Sequence, residues 1–323
     1  MWLYFKIVYL FLVGRRHEAR SLAVSKFQRL LKKYYAIREH DGVCVTDESW
    51  DYLIILDACR YDFFEKVYRQ FLPGTLQKKI SRATSTSEWL NKNFPGRYDD
   101  MVYVSGNPHC SDHEIYGFRG TDHFFKVEHV WRYAWSEEYD TVLPGEMVKA
   151  ALRLRDLYPD KRLIIHLIQP HGPWVGKTKV SVAEIGKDPT LRSAIEGKWT
   201  ADTLVWELVR QGRFSIELLK QADMDNLVLA LEHVRTLVDE LDGRIVVTAD
   251  HGEAFGEKFV VGHPPGIYFK ELVEVPWLVI DKGKREHREA VEKRELSKDA
   301  VPALDSSKDE ILIKRLRTLG YME

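Results

Sequence analysis

Cysteine is scarce: Cys44, Cys59 and Cys110 are the only three in 323 residues. An odd number at wide spacing supplies neither a disulfide framework nor a zinc knuckle. Reduced thiols are the expectation, and with them a cytoplasmic location, associated with the membrane surface if the amino end touches lipid. Charge of one sign is not in excess either. The 48 Lys and Arg against 49 Asp and Glu leave a net charge of -1, so no basic field advertises a nucleic-acid partner. Nor is there a long hydrophobic run. Trp2–Val13 is apolar except for Lys6 and is followed by Arg15, Arg16 and His17. It is too short for a membrane-spanning helix, which needs about 20 residues. Its charges come after the apolar run, whereas a signal peptide carries them before it. Two readings stay open for this segment: packing against the domain or a partner, and peripheral membrane contact through Trp2, Tyr4, Phe5, Tyr9 and Phe11.

No fixed-period repeat and no Pro-, Gly- or Ser-rich linker divides the rest. The chain therefore reads as an amino-terminal helical segment over 1–40 and a single catalytic domain over 41–323. Short apolar runs recur at Tyr52–Leu56, Met101–Val104, Leu163–Ile168, Ile245–Thr248 and Pro276–Ile280. Continuous apolar runs of that length fit strands buried on both faces. Helical periodicity appears over Ser21–Tyr35, Glu146–Leu157 and Leu227–Leu241. A polar, loop-rich stretch follows over Asp281–Lys308, then a final helix over Asp309–Leu319. Strands alternating with helices predict an α/β fold with a largely parallel central sheet and helices on both faces.

In open parallel sheets, ligands bind beyond the carboxyl ends of the strands. Asp57 directly follows YLIIL, His171 follows LIIHLIQP, and Asp250 and His251 follow IVVTA. Three strand ends thus offer oxygen and nitrogen donors to one cleft, a mixture that suits a divalent cation. Helix- and turn-capping roles for Asp57 and Asp250 are the plain alternative. The segment SRATSTSEW at Ser81–Trp89 is a candidate nucleophile turn. Ser85 and Glu88 form a capping box, which puts Thr84 just before a helix N-terminus whose free amides suit an anion. An ordinary Ser/Thr-rich cap is the alternative there. His171 and His263 lie in Pro/Gly-bounded loops and are candidates to bind an ester oxygen, protonate a leaving group or hold a second metal. His166, inside an apolar run, reads as a buried structural histidine. Arg60 reads equally as a substrate-neutralising group and as half of a surface ion pair.

The segments ILDACRYD, TSTSEW, IQPHGPW, TADHGEAFGE, GHPPGIY and VEVPWLVI, in this order, resemble the alkaline phosphatase/sulfatase superfamily, particularly its sulfatase-like archaeal and bacterial members. The resemblance implies an alkaline-phosphatase-like α/β core. It implies one divalent metal ion (Mn, Mg, Ca or Zn) held by Asp57, Thr84, Asp250 and His251, with a second metal open. It implies Thr84 as nucleophile, with His171 and His263 holding the substrate anion. Two departures stand out. No C/S-x-P-x-R sequence is present, which argues against a formylglycine sulfatase, and Leu167 stands where two-metal relatives carry an aspartate. The expected function is a metal-dependent hydrolase of phosphate or sulfate esters, phosphate preferred. The alternatives are a phosphoryl-group transferase acting on a glycan or lipid-linked substrate, and a noncatalytic binding protein of the same fold.

Overall fold

The computed structural model describes residues 16–38, 40–180, 214–285 and 312–316, with Tyr9, Val205 and Val209 as single positions. Apart from Tyr9, the apolar run Trp2–Val13 lies outside the described residues, as does the polar stretch from 286 onward.

The sheet has seven strands: β1 (Tyr52–Leu56), β2 (Thr75–Ile80), β3 (Tyr98–Ser105), β4 (Phe124–His129), β5 (Arg162–Leu167), β6 (Arg244–Thr248) and β7 (Glu274–Asp281). Their spatial order is β2-β7-β6-β1-β5-β3-β4. β1 pairs in parallel with both β5 and β6, and β3 pairs in parallel with β5 and β4. β7 alone runs against the rest, antiparallel to both β6 and β2. The sheet is thus mostly parallel, as expected, although the predicted strand at Pro276–Ile280 runs the opposite way.

Every residue of β1 is buried, because its side chains alternate between two covered faces. Tyr52, Ile54 and Leu56 join one core cluster; Leu53 and Ile55 join another. Burying such side chains contributes about 1.5–3 kcal/mol each. The first face is covered by α2 (Tyr61–Val67), α4 (Pro144–Leu157) and α5 (Ile216–Glu240), which supply Phe64, Met147 and Leu231 among others. The second is covered by α3 (Thr86–Asn93), through Trp89 and Leu90. Helices therefore flank both faces.

Helix starts follow local chemistry. α4 begins on Pro144, whose missing N–H costs nothing at a first turn. α5 begins earlier than periodicity suggests, because the Ser215 hydroxyl caps it by accepting from the Leu218 amide. Upstream, α1 (Arg16–Ala36) extends the predicted Ser21–Tyr35 helix by about a turn. Its Leu31 and Tyr35 pack on a small cluster containing Phe269 and Leu272.

Candidate metal centre and active site

The carboxyl ends of β1, β5 and β6 meet, and the side chains just beyond them converge. Asp57, Asp250, His251 and His166 are all fully buried. His251 Nε2 lies 3.7 Å from Asp57 Oδ1 and 3.4 Å from Asp250 Oδ2. His166 Nε2 lies 4.0 Å from Asp57 Oδ2 and 3.8 Å from Asp250 Oδ2.

Backbone and side-chain donors aim these carboxylates. The amides of Ala58 and His251 donate to Asp250 Oδ1 at 3.1 and 2.9 Å, which leaves Oδ2 to face the cluster. Asn107 Nδ2 donates to Asp57 Oδ2 at 2.6 Å. The Ala58 amide reaches Asp250 from a left-handed backbone, φ 57°. A side chain there costs about 1–2 kcal/mol, a strain held at the mouth of the site. Gly252 follows the pair Asp250–His251 because nothing larger fits: an added Cβ would stand 2.2 Å from the Glu271 carbonyl oxygen.

A second cluster adjoins the first. The His171, Glu253 and His263 ligand atoms all lie within 4.8 Å of one another, and the His251 and His263 rings are 4.6 Å apart. Glu253 Oε2 accepts from His263 Nδ1 at 2.9 Å. His171 Nδ1 and His251 Nδ1 lie 2.7 and 2.9 Å from the carbonyls of Gly172 and Gly252. A carbonyl only accepts, so both rings carry their proton on Nδ1 and present the Nε2 lone pair.

Burial, with neighbouring imidazoles, pushes His251 well below its ordinary pKa and holds His171 at about 4. Burial likewise lowers His166 to about 4 and His109 to about 3. These imidazoles are neutral near pH 7 and supply no charge to offset the buried carboxylates. Buried charge without compensation is strongly disfavoured. A divalent cation removes the difficulty, and oxygen and imidazole donors suit one. Among the described residues, each cluster holds a buried atom without a hydrogen-bond partner: His166 Nε2 at the first and Glu253 Oε1 at the second. The residues present therefore fit a divalent metal. The expected cofactor stands: two buried His/Asp/Glu clusters are placed to chelate it.

Two threonines stand at this turn in different surroundings. Thr84 Oγ1 accepts from the Gly266 amide at 3.1 Å and faces Pro264 O at 3.2 Å and Glu88 Oε2 at 3.3 Å. It tethers a loop and does not touch the ligand cluster. Thr86 Oγ1 does: it donates to Asp250 Oδ2 at 2.8 Å and lies 3.5 Å from His251 Nε2. The reason is where the helix starts. Ser85 is the N-cap and Thr86 the first helical residue, while Glu88 reaches back past the cap to the Thr84 amide at 3.0 Å. Ser85 Oγ itself makes no cap bond.

Other expectations fare variously. Asp57, Asp250 and His251 come together, and His171 and His263 stand beside them. His166 is hydrogen-bonded as predicted, its Nδ1 2.6 Å from the Tyr103 hydroxyl, but its other nitrogen faces the carboxylates. Arg60 is found in ion pairs. It is 6% exposed and engaged with Asp62 and Glu257 at 2.8 and 2.9 Å. Cys59 and Cys110 are buried. Leu167 is buried in the core and cannot be a ligand. Sequence reasoning did not single out Thr86 or Asn107, which the structure places against Asp250 and Asp57. The acidic strand end at Asp57 is conspicuous in the sequence, whereas nothing local distinguishes an asparagine that bonds to it from 50 positions away.

No protein-family model and no curated protein matches the chain. Among solved structures it is similar to the C-terminal periplasmic domain of phosphoethanolamine transferase EptC from Campylobacter jejuni. That match has 13% identity and a TM-score of 0.44, over 82% of this chain and 87% of the other. It is similar to the integral membrane protein lipooligosaccharide phosphoethanolamine transferase A from Neisseria meningitidis at 14% identity and a TM-score of 0.45, over 98% and 65%. It is also similar to a protein in the alkaline phosphatase superfamily from Vibrio parahaemolyticus at 12% identity and a TM-score of 0.40, over 82% and 70%. The likeness is a distant one, of fold alone. One expectation is corrected by it: the cytoplasmic location is withdrawn, because the phosphoethanolamine transferase structures it resembles are periplasmic domains or an integral membrane protein. Among the described residues no helix is long and apolar enough to cross a membrane.

Proposed function

We propose that the chain transfers a phosphoryl group from an anionic ester to an alcohol on a glycan or lipid-linked acceptor, with Thr86 as the relay, and that residues 41–323 form its single catalytic domain. The observation that carries this reading is the Thr86 hydroxyl, fully buried at the first turn of α3 and hydrogen-bonded to Asp250. A free threonine is a poor nucleophile and needs such a setting.

A divalent cation held by Asp57, Thr86, Asp250 and His251, when bound, lowers the hydroxyl's pKa and screens the substrate's negative charge. Thr86 Oγ1 forms the new bond to phosphorus as the bond to the leaving oxygen breaks. The proton given up by Thr86 ends on that oxygen, with His263 Nε2 as carrier and Glu253 fixing the ring. The free amides of the first turn of α3 receive the charge of the nonbridging oxygens. An acceptor alcohol then attacks phosphothreonine 86 and restores the hydroxyl. Water in place of the alcohol gives hydrolysis by the same steps. Phosphate is preferred over sulfate because Thr86 is unmodified.

The test is turnover of paired p-nitrophenyl phosphate and sulfate by the metal-loaded full chain, with and without glycerol as acceptor. Thr86→Ala is expected to abolish turnover and Thr84→Val to retain it. Peptide mass spectrometry of a quenched reaction should find phosphate on Thr86. The reverse pattern, with Thr84 essential and Thr86 dispensable, would sink the assignment.

A further inference from the structure

Beside the metal centre, across the Pro264–Gly266 loop, lies a cleft of about 360 Å³. Its walls come from separate parts of the chain. α1 and the turn after it bring Lys32, Tyr35 and Arg38; the next turn brings His40; α3 brings Lys92; and Tyr268 joins them. The His40 ring stacks on Tyr268 with centroids 4.0 Å apart. Tyr35 meets the same ring edge-on at 6.0 Å, and Lys92 Nζ lies 5.0 Å from its centroid.

The charges do not cancel. Glu88 neutralises Lys92 at 2.7 Å, and the Tyr268 hydroxyl also donates to Glu88. Arg38 lies 4.3 Å over the Tyr34 ring. Among the described residues no carboxylate pairs with Arg38 or Lys32. Two cations facing one aromatic-walled hollow attract an anion. The hollow is also joined to the reacting centre. Gly266 lines it and donates to Thr84, which sits two residues before Thr86 and three after Ser81, whose hydroxyl donates to the Asp250 carbonyl.

We propose that this cleft binds a second phosphate, carried on a sugar or glycerol unit of the same substrate whose ester meets Thr86, with Lys32 and Arg38 as its charge contacts. This names the substrate class of the function proposed above and rests on that reading for the link to Thr86. The binding itself does not.

The experiment is calorimetric titration of the metal-loaded full chain, in a Thr86→Ala background so that nothing turns over, with glucose 1-phosphate. Lys32→Ala with Arg38→Ala is expected to weaken binding by about tenfold or more. Both positions are exposed, so truncation there leaves the fold in place, and Lys32→Arg with Arg38→Lys should restore most of the affinity. A second arm measures sedimentation with phosphatidylcholine vesicles with and without phosphatidic acid. Retention on phosphatidic acid that the double variant loses, without sugar-phosphate binding, supports the phosphate site and assigns its source to a lipid headgroup. Binding that the double variant leaves unchanged, or that only His251→Ala removes, overturns the proposal. Because no turnover is read, failure of phosphoryl transfer and failure of this cleft are separate results.

Discussion

Asn107 holds Asp57 from across the sheet: its Nδ2 donates to Asp57 Oδ2 at 2.6 Å, linking the loop after β3 to the end of β1. A carboxylate oriented this way meets a cation with its geometry already set. Outer partners of metal ligands commonly matter about 10- to 100-fold in affinity. Asn107→Ala is therefore expected to lower divalent-metal affinity by about that factor, read by competition with a chelator. Unchanged affinity would show that the amide only packs.

Thr84 and Thr86 should separate cleanly by what they damage. Thr84 is fully buried and its hydroxyl serves the Gly266 amide and the Pro264 carbonyl. Thr84→Val leaves those groups without a partner, which costs about 1–3 kcal/mol. The expected outcome is a lower urea midpoint with turnover within about threefold of wild type, since no contact to the ligand cluster is lost. Loss of turnover at undiminished stability would reverse the roles.

Gly252→Ala tests the turn that carries His251. The new Cβ would press on the Glu271 carbonyl oxygen, backbone that cannot rotate away. Overpacking of this kind costs about 1–3 kcal/mol. Denaturant unfolding should show that loss, and metal affinity should fall with it because His251 is the adjacent residue.

Acid should act on a site far from the chemistry. Burial alone would raise the Glu128 carboxyl, but Lys126 and Arg153 outweigh it and hold the group below its ordinary 4.5. A carboxyl depressed in the folded state adds stability above its unfolded pKa, and that contribution disappears as pH falls through the folded value. Wild type should thus lose stability below about pH 4.5 more steeply than Glu128→Gln, while the variant is the less stable of the two at pH 7. Parallel pH profiles from urea unfolding would contradict the pairing.

Much of this architecture was legible because burial on both faces leaves a mark. β1 reads YLIIL, and an aspartate that abruptly ends such a run has little reason to be there except a cap or a ligand. The same logic exposed Asp250 and His251. The edge strands left no comparable mark: β2, TLQKKI, is largely exposed, so no apolar run announces it, and β4 mixes charge with aromatics. Thr84 and Thr86 share a residue type and a capping motif. Thr84 precedes the N-cap and Thr86 opens the helix, and local sequence does not fix a helix start that finely. His166 is the buried, hydrogen-bonded ring its apolar neighbourhood suggests, and that neighbourhood says nothing of the carboxylates its other nitrogen meets.

The parallel ladder has a consequence for how the protein can be handled. β1 is locked to β5 and β6 with Leu56 opposite Leu167 and Ile55 opposite Thr248. Sliding β1 by one position would swing the carboxylate of Asp57 onto the opposite surface of the sheet and bring a methyl group into its place. Tight capture of a divalent ion thus becomes an assay of correct strand pairing: in a refolded preparation, the molar fraction of tightly held ion counts the molecules whose strands have found their proper alignment.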